Sequence, residues 1–301
     1  MPASPSLPPF EGEPLAAPAP AKINLTLEVL GLRGDGYHEI DTVLQTLELA
    51  DRVTLFPDRG ALTVEACGPF AGGTPCDDSN LAVQAIIALC RLTGREVPKL
   101  AIRLEKHIPP AGGLGGGASD AATVLRLLQR HWGDVPDETA ISAANAIGSD
   151  EAYFLLGGTA RATGRGEILT PLPDLPERGV VLFVPPFTLE RKTAVMFRAL
   201  DALQFDTGAV TRAFVDRPPG QFSPVDVYNA FERVAFDVFR GLSVLWQQLE
   251  DRIGEPVRLA GAGPTLFWIG PLEEGQRVAA SAAGLPCTVI QTKTARSLWR
   301  Q

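Results

Sequence analysis

A run of glycines between residues 109 and 122 is the part of this chain best suited to chemistry. The stretch reads PPAGGLGGGASDAA and leads into a segment rich in alanine and leucine. Glycine costs a folded chain conformational entropy, so a cluster of glycines needs a reason. Without Cβ atoms, the backbone N–H groups can approach an anion at the start of the next helix, where the helix dipole favours negative charge. The pattern predicts a loop that binds the phosphates of a nucleotide.

Other readings of this glycine run fit the flanking sequence less well. A flexible linker is disfavoured, because apolar residues alternate over 100–104 and recur with helical spacing over 121–128. The match to a dinucleotide-binding fingerprint is loose, and no Lys-Ser or Lys-Thr pair follows the glycines, as a Walker loop requires. The chain also lacks the His-Arg-Asp and Asp-Phe-Gly triplets of protein kinases. A different phosphate-binding architecture is needed.

Two further segments make the pattern recognisable. Residues 19–25 read APAKINL with GDGYH at 34–38, and residues 259–265 read LAGAGPT. With the glycine loop, they resemble the superfamily of galactokinase, homoserine kinase, mevalonate kinase and phosphomevalonate kinase. Within it, the first segment is similar to members that phosphorylate a cytidine diphosphate-linked methylerythritol. The resemblance extends from about residue 17 to about residue 295, with the motifs in the same order.

The resemblance implies an α+β fold: a two-domain small-molecule kinase with its active site in the interdomain cleft. The proline-rich run at 171–176 is the best candidate for the domain boundary. We therefore expect an N-terminal kinase domain over 19–175, which carries the glycine loop, and a C-terminal α+β domain over 176–301. Six prolines among the first eighteen residues predict a disordered tail over 1–18.

The resemblance also implies a catalytic pair, an aspartate that takes the proton of the acceptor hydroxyl and a lysine beside it. These map onto Asp150 and Lys22. A nearby cation would keep the aspartate ionised and stabilise charge on the attacking oxygen. Glu151 follows Asp150 directly and is a rival carboxylate. Asp150 could instead cap a helix, and Lys22 could be a solvated edge-strand lysine.

The binding residues that follow from the motifs fall into two groups. For ATP, they are Pro109, Pro110, Ala111, Gly112, Gly113, Leu114, Gly115, Gly116, Gly117, Ala118 and Ser119. For the second substrate, they are Asn24, Tyr37, His38, Phe197, Gly261, Ala262 and Gly263. Tyr37 and Phe197 would sandwich the cytosine, and His38 would bond to its edge. Phe197 could instead be a core residue, and His38 a plain buried histidine.

Two motif positions depart from the family pattern. Ala118 and Ala262 each stand where serine is more usual, so each has lost a hydroxyl that could contact phosphate. Neither change removes a backbone donor, and backbone donors should dominate phosphate binding. The nucleotide affinity is therefore left open.

Composition narrows the class of protein. A formal net charge of −8 and a pI near 5.0 argue against nucleic acid as a partner. The sequence has no apolar run long enough to span a bilayer and no signal-peptide pattern at its start, so we expect a cytoplasmic protein. Its four cysteines lack metal-ligand spacing, and no residue is assigned as a metal ligand.

The implied reaction is phosphorylation of the 2-hydroxyl of the cytidine substrate by ATP, with Mg²⁺ as cofactor, in non-mevalonate isoprenoid precursor biosynthesis. The partners would then be ATP and this small molecule, in a monomer or a weak homodimer. Two alternatives stay open. One is another small-molecule kinase of the superfamily, and the other is a nucleotide-binding regulator that has lost catalysis.

Overall fold

The computed structural model describes residues 12–57, 60–187, 189 and 191–299 of the 301-residue chain. These residues form two compact units. Unit 1 combines the described part of 1–20 with Ala50–Pro110 and Gly116–Leu155. Unit 2 combines Ala21–Leu49, Ala111–Gly115 and the described part of 156–301. The glycine loop is therefore shared, with residues 111–115 in unit 2 and the residues on either side in unit 1.

Strands and helices are mixed along the chain. The strands are β1 (Leu15–Leu32), β2 (His38–Pro57), β3 (Thr63–Cys67), β4 (Leu100–Glu105), β5 (Thr159–Gly164), β6 (Ile168–Pro171), β7 (Gly179–Val184), β8 (Tyr228–Asn229), β9 (Arg258–Leu259), β10 (Leu266–Gly270) and β11 (Thr288–Lys293). The α-helices are α1 (Leu81–Thr93), α2 (Gly116–Trp132), α3 (Asp137–Asn145), α4 (Glu151–Leu156), α5 (Lys192–Leu200), α6 (Ala209–Val215), α7 (Glu232–Val238), α8 (Leu242–Ile253) and α9 (Gly275–Ser281). Short 3₁₀ turns lie at Pro224–Asp226 and Leu272–Glu274.

Unit 1 is built from the start of β1, the end of β2, strands β3 and β4, and a helical layer. The second half of β2 pairs antiparallel with β4, and β4 pairs parallel with β3. Helices α1, α2 and α3 pack on one another. Asn80 caps α1, since its side chain accepts a hydrogen bond from the Ala82 N–H, as the sequence predicts. Gly94 ends that helix in the left-handed conformation.

Unit 2 contains two sheet regions. In the first, the early part of β2 pairs antiparallel with β5, β5 with β6, and β1 runs parallel to β8. The second is a four-stranded antiparallel sheet in the order β11–β7–β10–β9. A core that includes Phe183, Phe231 and Trp268 lies between this sheet and helices α5, α7 and α8. The sheets and this core supply the rigid framework on which the unit 2 motifs stand.

The structure differs from the sequence expectation in two elements. The sequence pattern of residues 227–249 predicts a helix, but this stretch holds β8, α7 and α8 instead. The break falls at Gly241, whose φ of 91° is left-handed and cannot continue a helix. Strand β1 begins at Leu15 rather than at Lys22. Residues 1–11 of the predicted disordered tail lie outside the described residues, and 15–18 belong to β1.

The two units do not follow the predicted domain boundary near residue 175, because both 156–175 and 176–299 lie in unit 2. Compact units need not coincide with domains, so the boundary stays a prediction. No helix in the described part of the chain has the length and apolar character needed to cross a membrane.

Candidate active site

Three sequence motifs that are distant along the chain come together in unit 2. The Lys22 N–H donates to the Leu114 carbonyl over 3.0 Å, which joins β1 to the centre of the glycine loop. A Cβ at Gly113 would overlap the carbonyl oxygen of Ala260, and one at Gly263 would overlap the carbonyl of Gly112. The loop and the turn after β9 are thus in direct backbone contact.

This close approach explains two of the glycines. Gly113 has a φ of +87° and Gly261 a φ of +53°, both in the left-handed region. A side chain at Gly113 would be strained by its φ and would also collide with the turn. Ala111 adopts a φ of 56° in the same loop, which is unusual for a residue with a Cβ. The loop therefore holds a strained conformation, as functional loops often do.

Asn229 supports the turn that follows β9. Its side-chain Nδ2 donates to the carbonyls of Leu259 and Gly261, at 2.8 Å each. The Ala260 N–H donates to the Thr265 carbonyl at 2.9 Å and closes the turn. The turn that carries Gly261, Ala262 and Gly263 is thus held at both ends.

Lys22 is oriented by a chain of buried side chains. Its Nζ donates to Asn24 Oδ1 at 2.8 Å, and Asn24 Nδ2 donates to Thr42 Oγ1 at 2.8 Å. Thr42 Oγ1 in turn donates to the carbonyl of Thr26. Lys22 and Asn24 are 4 % and 3 % exposed. Lys22 is therefore not a solvated edge-strand lysine, because such a residue would extend into water.

His38 and Phe197 form an aromatic pair. Their rings stack with centroids 4.4 Å apart and planes 17° from parallel. His38 Nε2 lies 2.6 Å from Asp201 Oδ1, and Phe197 also meets Phe231 of the core edge-to-face at 4.9 Å. Phe197 is thus a core residue on one side and a platform for His38 on the other. The expectation that Phe197 contacts cytosine directly stays a prediction.

Tyr37 lies next to this pair in sequence but faces solvent. Its side chain is 52 % exposed, and the guanidinium of Arg165 lies over its ring at 4.6 Å from the centroid. An arginine over one face leaves the other face for a base.

In unit 1, helix α2 begins at Gly116 within the glycine run. Ser119 is fully buried there, and its hydroxyl has no hydrogen-bond partner among the described residues. Buried polar groups are normally satisfied, so an orphaned hydroxyl at a predicted phosphate site needs an explanation. A phosphate or its hydrated cation would supply the missing partner.

The two candidate carboxylates of unit 1 have different environments. Glu151 opens α4 and is 3 % exposed, and a Cβ at Gly148 would lie 2.5 Å from its carboxylate. Burial raises the pKa of Glu151 to about 7, against the opposing effect of backbone N–H groups. Asp150 is half-buried. Because Lys22 belongs to unit 2 and Asp150 to unit 1, their pairing stays a prediction.

Comparison with known proteins identifies the family. Residues 80–158 match the model of the GHMP kinases N terminal domain. A 4-diphosphocytidyl-2-C-methyl-D-erythritol kinase from Geobacillus kaustophilus is 39 % identical over 88 % of this chain and 90 % of the relative. The chain belongs to the 4-diphosphocytidyl-2-C-methyl-D-erythritol kinase family. The resemblance seen in the sequence motifs is thereby confirmed.

Solved structures of this family and its superfamily share the fold. A crystal structure of 4-(cytidine 5'-diphospho)-2C-methyl-D-erythritol kinase aligns with a TM-score of 0.73 and 31 % identity, over 93 % of this chain and 99 % of that one. The L. major mevalonate kinase in complex with R-mevalonate aligns with a TM-score of 0.70 at 12 % identity, over 96 % and 99 %. The α+β superfamily fold predicted from the sequence is confirmed.

Within each unit, the structure brings some of the predicted residues of this kinase family together. Lys22, Asn24, residues 111–115 and residues 261–263 form one contiguous group in unit 2. His38 and Phe197 form a second group with Asp201. Pro109, Pro110, residues 116–119 and Asp150 belong to unit 1.

Sequence reasoning missed the residues that hold these groups in place. Thr42 and Asp201 carry no motif, and their partners are remote in sequence. Asp51, Lys106 and Asp120 form a buried ionic cluster in unit 1, with Lys106 just before the glycine loop. A lysine that directly follows an alternating apolar strand is the one available sequence signal.

Proposed function

We propose that this chain transfers the γ-phosphoryl group of ATP to the 2-hydroxyl of 4-diphosphocytidyl-2-C-methyl-D-erythritol, giving the 2-phosphate and ADP. The reaction would serve non-mevalonate isoprenoid precursor biosynthesis. The observation that carries the proposal is the convergence of Lys22, the glycine loop and the 261–263 turn in unit 2. Membership of the kinase family supports the same reaction and substrate.

ATP would be held mainly by backbone donors. The predicted loop, residues 109–119, offers amides without Cβ atoms at five glycines, and the α2 dipole favours the phosphates. The loss of hydroxyls at Ala118 and Ala262 leaves these amides in place. Ser119 Oγ is a further candidate ligand, because the described residues leave it without a partner.

Mg²⁺ is part of the proposal as the ion that accompanies ATP. No cluster of three or more His, Cys, Asp or Glu residues that could hold a metal occurs in the described ranges. Magnesium at sites that bind ATP is commonly held by one or two carboxylates together with the phosphates, and in some classes by a serine or threonine hydroxyl. Ser119 fits that pattern, and the ion would neutralise phosphate charge when bound.

Asp150 would accept the proton of the substrate's 2-hydroxyl group while the oxygen of that hydroxyl attacks the γ-phosphorus of ATP. The O–H bond breaks, a new O–P bond forms, and the bond to the leaving ADP oxygen breaks. Lys22 would stabilise the negative charge on the attacking oxygen, with its ammonium oriented by Asn24 at 2.8 Å. Such a reaction depends on positioning and charge stabilisation more than on covalent chemistry by the protein.

Glu151 is the less suitable of the two carboxylates. Its carboxylate folds against Gly148, in the segment that precedes α4, so a substrate hydroxyl would have to displace that backbone to reach it. A general base must be within hydrogen-bond reach of the proton that it takes. Asp150, which is half-buried, meets this condition more readily.

The cytidine moiety would be recognised around the His38–Phe197 pair. Tyr37 offers an exposed aromatic face, and His38 offers a ring nitrogen for a hydrogen bond to the base edge. The residues of the 261–263 turn would contact the polar part of the substrate through backbone groups. A cytoplasmic location and a monomeric or weakly dimeric state belong to the same proposal.

A coupled assay of ADP release tests the proposal. The purified protein is given Mg-ATP with 4-diphosphocytidyl-2-C-methyl-D-erythritol, homoserine or mevalonate in parallel reactions. Turnover with the cytidine substrate alone is expected. Turnover with homoserine or mevalonate instead would favour another kinase of the superfamily, and ATP binding without any turnover would favour an inactive regulator.

A further inference from the structure

A buried ionic cluster joins three elements of unit 1. Lys106 Nζ is bonded to the carboxylates of Asp51 and of Asp120. The three side chains are 6 %, 0 % and 3 % exposed, so the ion pairs are screened from water. Lys106 directly follows β4, Asp51 lies in β2, and Asp120 lies in α2. The cluster therefore connects the residues before and after the glycine loop.

Asp51 makes further bonds to the chain that enters the loop. Its Oδ1 accepts the N–H groups of His107 at 2.5 Å and Ile108 at 2.8 Å. The backbone of 107–108 is thus fixed immediately before Pro109, where the predicted ATP-binding residues begin. One carboxylate anchors both Lys106 and the two residues after it.

The first residue of α2 packs on the same site. A Cβ at Gly116 would lie 3.1 Å from Ile108 Cγ2 and 3.3 Å from Asp51 Oδ2. Gly116 is thus in tight contact with the anchored entry segment. The two stems of the loop, 106–108 and 116–120, meet at Asp51.

The charges of the cluster favour a single arrangement of its three side chains. Two carboxylates face one ammonium in a buried site, and burial raises the pKa of Asp120 against the opposing effect of Lys106. Burial lowers the pKa of Lys106, but the two carboxylates outweigh it and the net shift is upward. Removing one partner of such a cluster leaves an uncompensated buried charge. The cluster can therefore hold the stems in one arrangement.

We propose that Lys106 and Asp51 are positioning residues for ATP, which clamp the two stems of the glycine loop so that the amides of 116–119 face the phosphates. Neither side chain would touch the nucleotide. The inference rests on the proposed function, because it takes the loop to be the phosphate site. A positioning role predicts that replacing Lys106 or Asp51 specifically weakens ATP binding. A purely structural role does not predict this specific loss.

The test compares Lys106→Met with Lys106→Arg and with a matched control, Arg126→Met. Arg126 lies on α2, the helix that carries Asp120. Its Nη1 donates to Asp137 and to Gln129, away from the loop. Mg-ATP affinity is measured by calorimetric titration, and KM and kcat are measured in the ADP-release assay. Lys106→Met should weaken ATP binding by about 10- to 100-fold, the scale expected when a binding group is misplaced by about 1 Å.

The other variants show whether this loss is specific. The KM for ATP should rise with the Kd while kcat changes much less, and Lys106→Arg should recover most of the affinity. Arg126→Met should lose stability without losing ATP affinity. If Lys106→Met does not fold, Asp51→Asn serves instead, since the amide oxygen still accepts the two N–H groups, and its Kd for ATP should rise at least several-fold.

Three results would overturn the inference. One is a folded Lys106→Met or Asp51→Asn variant that binds ATP as tightly as wild type. Another is an equal loss of affinity in Arg126→Met, and the third is no recovery of affinity in a folded Lys106→Arg variant. Failure of the proposed function is distinguishable, because the wild-type protein would then not phosphorylate the cytidine substrate in the ADP-release assay, whereas the positioning role is judged from the Kd for ATP of each variant relative to wild type.

Discussion

The imidazole of His38 lies flat against the ring of Phe197, with ring centroids 4.4 Å apart. Asp201 holds the Nε2 edge of the imidazole, and Phe205 meets it edge-to-face at 6.2 Å. Phe197 is in turn packed against Phe231, which is 2 % exposed. A half-buried residue of the substrate motif, His38, is thereby tied to the core of unit 2.

Replacing Phe197 should therefore affect the cytidine substrate more than ATP. In Phe197→Ala, His38 loses its stacking partner, and we expect affinity for the cytidine substrate to fall by about 1 to 3 kcal/mol, or about 5- to 150-fold in Kd. Phe197→Leu keeps apolar packing against Phe231 but removes the aromatic face, so it should show much of the same loss with better stability. Titration of both nucleotides into both variants measures this. Equal losses for ATP and the cytidine substrate would contradict a role in base recognition.

Thr42 should matter for turnover although it lies two hydrogen bonds from Lys22. Thr42→Val removes the acceptor of Asn24 Nδ2 and leaves a buried donor unpaired, which costs about 1 to 3 kcal/mol of stability. We also expect kcat to fall by about 10-fold, since Asn24 no longer holds the Lys22 ammonium in position. The KM for ATP should change little.

Thr42→Ser is the matched control, because it keeps the hydroxyl and removes only a methyl group. It should retain near-normal kcat in the same assay. If Thr42→Val is folded and as active as the wild-type protein, the hydrogen-bond chain does not orient Lys22 for catalysis.

The sequence predicted those structural elements that are determined by residues close together along the chain. The Asn80 cap and the start of α1 depend on neighbouring residues, and both are found as expected. The glycine run predicted a loop that binds phosphates, which stays a prediction; the structure adds a backbone contact of Gly112 and Gly113 with the turn at Ala260 and Gly263. A cluster of glycines can be recognised within a single segment, without knowledge of the residues that it contacts.

Features that depend on remote partners could not be read in this way. The apolar periodicity of 227–249 does not reveal that Asn229 bonds to Leu259 and Gly261, which takes its segment out of a helix. Likewise, Asp201 is 163 residues from His38, and Asp51 is 55 residues from Lys106. The residues that hold the candidate site together could not be predicted from the sequence, because they are distant from their partners along the chain.

Gly113 should be among the least replaceable residues of the loop. In Gly113→Ala the new Cβ would overlap the Ala260 carbonyl, and the left-handed φ of +87° adds about 1 to 2 kcal/mol of strain. We expect a clear drop in the thermal midpoint and at least about a 10-fold loss of ATP affinity, as the loop shifts by an ångström or so. Gly72→Ala is the control, since nothing lies within 4 Å of its Cβ position. Normal ATP binding by Gly113→Ala would show that the contact with the turn is dispensable.

Replacing Asp150 and replacing Glu151 should have different effects on kcat. Asp150→Asn should lower kcat by about 10² or more while leaving ATP affinity nearly unchanged, the scale of a lost acid–base group. Glu151→Gln keeps the shape of a buried side chain that folds against Gly148, so its kcat should fall far less. Rates for the two variants under saturating substrates decide between them. A larger loss from Glu151→Gln would reverse the assignment.

Glu151 should instead control how stability depends on pH. Its pKa is raised by burial from about 4.5 to about 7 in the folded protein, so between these values the folded state keeps a proton that the unfolded chain releases. The stability present below pH 4.5 is then lost as the pH rises through 7. Glu151→Gln cannot titrate, so its stability relative to wild type should improve on going from pH 5 to pH 8, by up to about 3 kcal/mol at 1.36 kcal/mol for each pH unit.

Urea unfolding of wild type and Glu151→Gln at these two pH values measures the difference. Glu138→Gln, at an exposed position of α3, is the control for removing one carboxylate. Because other buried acids titrate identically in both proteins, they cancel in the comparison. A constant difference between Glu151→Gln and wild type across this range would mean that Glu151 is already ionised at pH 5 and that burial does not dominate its environment.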